Sequence, residues 1–140
     1  MSEEDRFAVA FAQAWRQPQA DRLAALLTED VVLYQPHLPA IRGRTAARAE
    51  FERLFAWLPS LHGDVDHACG RDGLVFIEWR MHFPIGRRTV TIPAVDRFRL
   101  HGGLGAERTV FFDQTPLYLA VGSQPRAWPG FLRYRFGGRR

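Results

Sequence analysis

A chain of 140 residues fits one domain and is long enough to bury about two-thirds of the surface that its unfolded form exposes, so a real core is within reach. Eleven Phe and four Trp raise the aromatic share to 13%, which points to a bulky core or an aromatic-lined hollow. The formal charge of +4 comes entirely from Arg, and the single Cys69 excludes an internal disulfide, a paired-cysteine metal motif and a dithiol redox pair.

No apolar run approaches the roughly 18 residues of a membrane span, and Met1-Ser2-Glu3-Glu4-Asp5 is acidic where a secretory leader is basic. The expectation is a cytoplasmic protein without membrane contact. Ser2 with the three acidic residues after it reads as a helix N-cap and first turn, and Phe7, Phe11 and Trp15 recur every fourth residue until Gln17-Pro18. Asp21 is expected to cap a second short helix carrying Leu23, Leu26 and Leu27 and closing at Thr28-Glu29-Asp30. Val31 to Tyr34 reads as a short strand, followed by an irregular Gln35-Pro36-His37-Leu38-Pro39. A third helix is expected over 45–58, capped by Thr45, with Phe51, Leu54, Phe55 and Leu58 on its buried side and Arg48, Glu52 and Arg53 on its wet side.

After Pro59 the period changes to two. Residues 62–69 alternate weakly, Arg71-Asp72-Gly73 has hairpin-turn chemistry, and strands are expected over 74–83, 89–100 and 106–113, separated by the turns Pro84-Ile85-Gly86-Arg87 and His101-Gly102-Gly103. On the first of these, Trp79, Met81 and Phe83 fall on one face, and Glu78, Arg80 and His82 on the other. Residues 117–121 suit a strand or part of a helix. Residues 122–140 have no clean period and read as a docked or partly disordered Arg-rich tail following a single domain over 1–121. No acidic residue follows Asp113, while Arg126, Arg133, Arg135, Arg139 and Arg140 do; no recognisable module accompanies them, so nucleic-acid binding is a distant third reading.

Helices followed by a run of antiparallel strands give an α+β layout in which helices cover one side of a curved sheet and leave a blind cavity. This order, together with Leu26-Leu27-Thr28-Glu29-Asp30-Val31-Val32, the following Pro36, and Asp96-Arg97-Phe98-Arg99-Leu100 before a glycine turn, resembles the NTF2-like superfamily with its cystatin-like cone. Within it the chain is most similar to SnoaL-like polyketide cyclases and ketosteroid isomerases. The resemblance implies a carboxylate base beside the first strand, a tyrosine on the first helix and an aspartic acid on a later strand. Only the last is present, as Asp96; Gln35 stands at the base position and Phe11 at the tyrosine position, so ketosteroid isomerisation itself is not expected. The limonene-epoxide-hydrolase-like branch, which carries an Arg-x-Asp pair and a further Asp, is matched at Arg80 but has His82 and Val110 at the other two positions.

The resemblance puts Glu78, Arg80 and His82 on the concave side, although a solvated or dimer face explains the same alternation. On the cavity reading, His82 serves as general base, since an ordinary imidazole titrates near about pH 6.5, with Arg80 and a protonated Asp96 as electrostatic partners. Asp96 in a salt bridge with a neighbouring Arg is the other open reading. Phe11, Trp15, Tyr34, Gln35, Glu78, Phe98, Val110 and Phe112 are expected to line the pocket. The expected ligand is a small apolar or carbonyl-containing compound, turned over without a cofactor by an isomerase, cyclase or hydrolase. The alternative is a non-catalytic binder or assembly module, dimeric through the sheet, with Trp79, Met81 and Phe83 across the twofold contact. His62, Asp64, Asp66 and His67 have metal-binding residue types, but no ligand-spacing motif accompanies them and no metal is expected.

Overall fold

The structure, a computed structural model, describes residues 1–36 and 38–137, so His37, Arg139 and Arg140 lie outside the described residues. Helix α1 (Glu3–Arg16) starts in a full capping box: Ser2 Oγ accepts from the Asp5 amide at 3.0 Å, and the Asp5 carboxylate accepts from the Ser2 amide. Helix α2 (Ala20–Ala24) is shorter than its leucines suggested. Leu27 already begins strand β1 (Leu27–Tyr34), and Asp21, instead of capping, accepts from Arg48 across the helix pair. A two-residue strand β2 (Ile41–Arg42) precedes helix α3 (Arg44–Trp57), whose N-cap is Gly43, at φ 92°, and not Thr45.

Four long strands follow: β3 (His62–Arg71), β4 (Leu74–Ile85), β5 (Arg88–His101) and β6 (Leu104–Phe112). Asp72 and Gly73 both have positive φ, the primed turn that matches the twist of an antiparallel hairpin. The sheet order is β2-β1-β6-β5-β4-β3, with β1 parallel to β6 and the other neighbours antiparallel. It is a curved, unclosed α+β sheet of NTF2-like form. Of residues 122–140, expected as a tail, the described ones (122–137) instead continue helix α4 (Thr115–Gly122) into a 3-10 turn and helix α5 (Trp128–Phe136), which folds back over α3.

The concave face is set by the large apolar residues. Phe7, Phe11 and Trp15 of α1 lie edge-on or tilted against Trp79 and Phe98, with Phe11 and Trp79 centroids 5.1 Å apart. Trp79 is fully buried, and Met81 and Phe83 nearly so, which corrects the expectation that these three form a dimer contact on the outside. Their burial turns Glu78, Arg80 and His82 to the convex side, correcting the concave placement given them above; successive strand residues cannot share a face. Gly63 opposite Met81 carries this packing on β3: a Cβ there would sit 2.4 Å from the Trp79 ring.

Candidate functional site

The hollow lies between the C-terminal ends of β4 and β6 and the helices α3, α4 and α5, and has a volume of about 90 Å3. Its apolar walls include Trp15, Phe51, Leu54, Met81, Phe83, Val110, Phe112 and Phe131. Trp15, Gln35, Val110 and Phe112 therefore border it, as do several residues that sequence reasoning missed. Phe11 and Phe98 are buried one layer away in the α1 contact, Tyr34 is 39% exposed, and Glu78 is exposed on the opposite face; none of these four is among the lining residues.

The polar groups are few and mostly tied. Gln114 Nε2 donates to the Pro36 carbonyl at 3.0 Å, and the Tyr118 hydroxyl donates to Gln114 Oε1 at 2.7 Å. Glu50, 1% exposed, accepts from the Tyr134 hydroxyl at 2.7 Å and from Arg53 Nη2. Arg108, 5% exposed, donates from Nε to Asp96 Oδ2 at 2.5 Å, and Asp96 also accepts from the Trp79 indole at 2.8 Å. Among the described residues this Nε bond is the one hydrogen bond found for the Arg108 side chain, which leaves its two Nη groups as donors for whatever enters.

Asp96 is thus held in a salt bridge beneath the wall and does not border the hollow itself. Burial pushes its carboxyl above the ordinary value, opposed by the Arg108 charge and hydrogen bond and by the Trp79 N–H. Two signals for the missed residues were present. Arg108 shares the parity of Val110 and Phe112 on β6, and Glu50 stands three residues after the buried Ala47 and four before Leu54, on the same helix stripe.

On the convex face, Arg80 makes three hydrogen bonds to the Asp66 carboxylate at 3.0 to 3.2 Å, His67 Nδ1 lies 3.5 Å from Glu78, and His82 lies between Asp64 and Thr91. The Arg80 guanidinium holds the Asp66 carboxyl below its usual range. The set named for catalysis is thereby divided: Asp96 is inside, and Arg80 and His82 are outside.

No individually curated protein matches the sequence significantly. Among solved structures, the chain superimposes on a protein from Jannaschia sp. CCS1 named as a candidate SnoaL-like polyketide cyclase, with TM-score 0.76 and 20% identity over 88% of this chain and 94% of that one. A protein of ketosteroid isomerase-like fold from Catenulispora acidiphila, in complex with trimethylamine, gives 0.75 and 17% over 83% and 92%. An epoxide hydrolase of limonene-epoxide-hydrolase-like type from M. tuberculosis gives 0.73 and 19% over 91% and 95%. Identities this low establish a shared fold and no shared activity. The profile of the SnoaL-like domain matches residues 8–108, ending just before the lining positions Val110 and Phe112 and before the helices that close the hollow, and with most of the chain inside that match the protein belongs to the SnoaL-like domain family.

Proposed function

We propose that this protein binds a compact, mostly apolar carbonyl compound in the hollow and moves a proton on it without a cofactor, as an isomerase, cyclase or hydrolase of SnoaL-like type would. The observation that carries this reading is Arg108. A buried guanidinium with two Nη groups at an aromatic cavity offers a fixed place for one acceptor oxygen, where a low-dielectric setting strengthens the contact. Pairing with Asp96 offsets the Arg108 charge, which favours a carbonyl over a fully charged anion at its Nη groups. The carboxylate among the described lining residues is Glu50, so abstraction of a proton next to that carbonyl falls to Glu50, with Arg108 holding the resulting enolate oxygen. At about 90 Å3 the hollow is smaller than the roughly 150 Å3 cavity that takes benzene, which restricts the reading to compact ligands.

Cyclopentanone tests both halves of the reading. Its α-hydrogens should exchange in deuterated water faster with the protein than without it, and Glu50→Gln should remove the acceleration. Its saturable binding, read from the Trp15 and Trp57 indole resonances, should exceed that of cyclopentane and be lost in Val110→Phe, which fills the hollow. Binding unchanged by Val110→Phe would place the ligand elsewhere; binding without exchange would leave a non-catalytic pocket.

The assembly reading has its own observation. Phe76, Val95 and Phe111 stand exposed on the convex face of neighbouring strands, with the Arg97 guanidinium 5.7 Å from the Phe111 ring centre. A homodimer through this face would cover them, and Phe111→Asp would then dissociate it in sedimentation.

A further inference from the structure

The convex face carries a group of side chains that the cavity does not use. His62 on β3 is directly opposite His82 on β4, with ring centres 4.7 Å apart, and Asp64 is two residues further along β3. One donor atom from each of His62, Asp64 and His82 lies within 4.8 Å of the other two. Bonds of about 2.1 Å in tetrahedral geometry need donor atoms roughly 3.4 Å apart, so side-chain rotations alone bring these three into range. The backbone beneath them is an antiparallel ladder and stays fixed.

The outer partners of the imidazoles make this more than a coincidence of residue types. His62 Nδ1 lies 2.9 Å from the Ser60 carbonyl, which can only accept, so Nδ1 carries the proton and Nε2 keeps its lone pair. His82 Nδ1 lies 2.9 Å from Thr91 Oγ1 on β5, a hydroxyl able to accept from it, while Nε2 faces Asp64 Oδ2 at 3.0 Å. Each ring thus has its Nδ1 held by an oxygen outside the trio and its Nε2 left to serve as the ligand atom, the arrangement in which histidines bind metals. A cation between His82 Nε2 and Asp64 would replace the proton they share, with His82 shifting to its Nδ1–H tautomer. The nearby Arg80 charge is matched by Asp66, which binds it through three hydrogen bonds, so Asp64 keeps its carboxylate for the centre.

We propose that His62, Asp64 and His82 form a binding site for a divalent transition metal, with Zn2+ as the probe cation and the remaining coordination positions open to solvent. Two imidazoles and one carboxylate suit Zn2+ and its neighbours and are poor ligands for Ca2+ or Mg2+. The site is independent of the cavity and stands or falls separately from its proposed chemistry.

Calorimetric titration of the untagged full chain with Zn2+ should show one site per chain, and Co2+ should give the visible absorption of a tetrahedral or five-coordinate ion. His62→Ala and His82→Ala should each abolish this site. Thr91→Val, which removes the oxygen partner of His82 Nδ1, should weaken it by roughly 10- to 100-fold. His67→Ala and His101→Ala should leave the affinity unchanged. Circular dichroism checks that each variant is folded, and Asp64→Asn, which keeps the side chain's size, supplies a second loss-of-ligand test. Zn2+ binding that survives His62→Ala or His82→Ala, or the absence of one-to-one binding in the wild-type chain, overturns the proposal.

Discussion

Arg108 and Asp96 are paired across β6 and β5 at 2.5 Å with both side chains almost fully removed from water. A buried pair of this kind contributes little relative to apolar residues of the same volume, but removing one member leaves the other without a partner.

Asp96→Asn should therefore cost about 3–5 kcal/mol, because the Arg108 cation stays buried and unmatched. Urea unfolding measures it, and a loss within about 0.5 kcal/mol, the range of a surface change, would contradict the account. Arg108→Met tests the other side through pH. Burial raises the Asp96 carboxyl above its unfolded value, so the native state binds more protons in the interval between the two values. Stability of the variant should be highest below the unfolded carboxyl value and fall as pH rises toward the native one, more steeply than in the wild type.

Tyr134 joins α5 to α3 through its hydroxyl on Glu50, with its ring stacked on Trp57 at 4.8 Å. Tyr134→Phe keeps the stacking and removes the hydrogen bond, so it should cost about 1–2 kcal/mol. Amide hydrogen exchange in α5 should quicken while that in the β4–β5 ladder does not. Equal protection in both proteins would mean that the hydroxyl does not hold α5 down.

Glu4 ties the helix to the far hairpin: its Oε1 accepts from the Gly73 amide at 2.8 Å, and that hydrogen bond holds its carboxyl below the ordinary value. A lowered native value contributes stability above the unfolded carboxyl value that disappears as pH falls through the native one. Glu4→Gln should therefore be less stable than the wild type near neutrality, with the two acid-unfolding curves converging at low pH. Parallel curves throughout would deny the linkage.

Gly63→Ala should destabilise by about 1–3 kcal/mol through overpacking, since the new methyl meets the Trp79 ring and the Arg80 carbonyl lies behind it at 3.2 Å. Thermal unfolding measures it. Gly102→Ala makes an instructive contrast: no atom lies within 4 Å of a Cβ there, and its cost comes from the positive φ alone.

Much of the architecture is written locally. Ser2 with Asp5, the four-residue spacing of Phe7, Phe11 and Trp15, and Asp72-Gly73 specify a capped helix and a primed turn with no help from distant residues. Which strand face looks inward was also recoverable. Gly86 and Arg87 form a two-residue turn that pairs Ile85 with Arg88, and this register sets Ile77, not Glu78, beside Asp96. A slip of this register by one residue would move every β4 side chain to the other face, because the strand period is two.

What the sequence determined by itself is helices α1 and α3, strand β1, the four long strands β3 to β6 and their order, since these follow from the spacing of neighbours along the chain. Tertiary structure alone decided that residues 115–136 return to close a cavity over Glu50 and Arg108. It alone brought His62 and His82, twenty positions apart, face to face. Contacts of that kind depend on which strands pair and in what register, and on helices whose weak period shows no buried face until they meet α3.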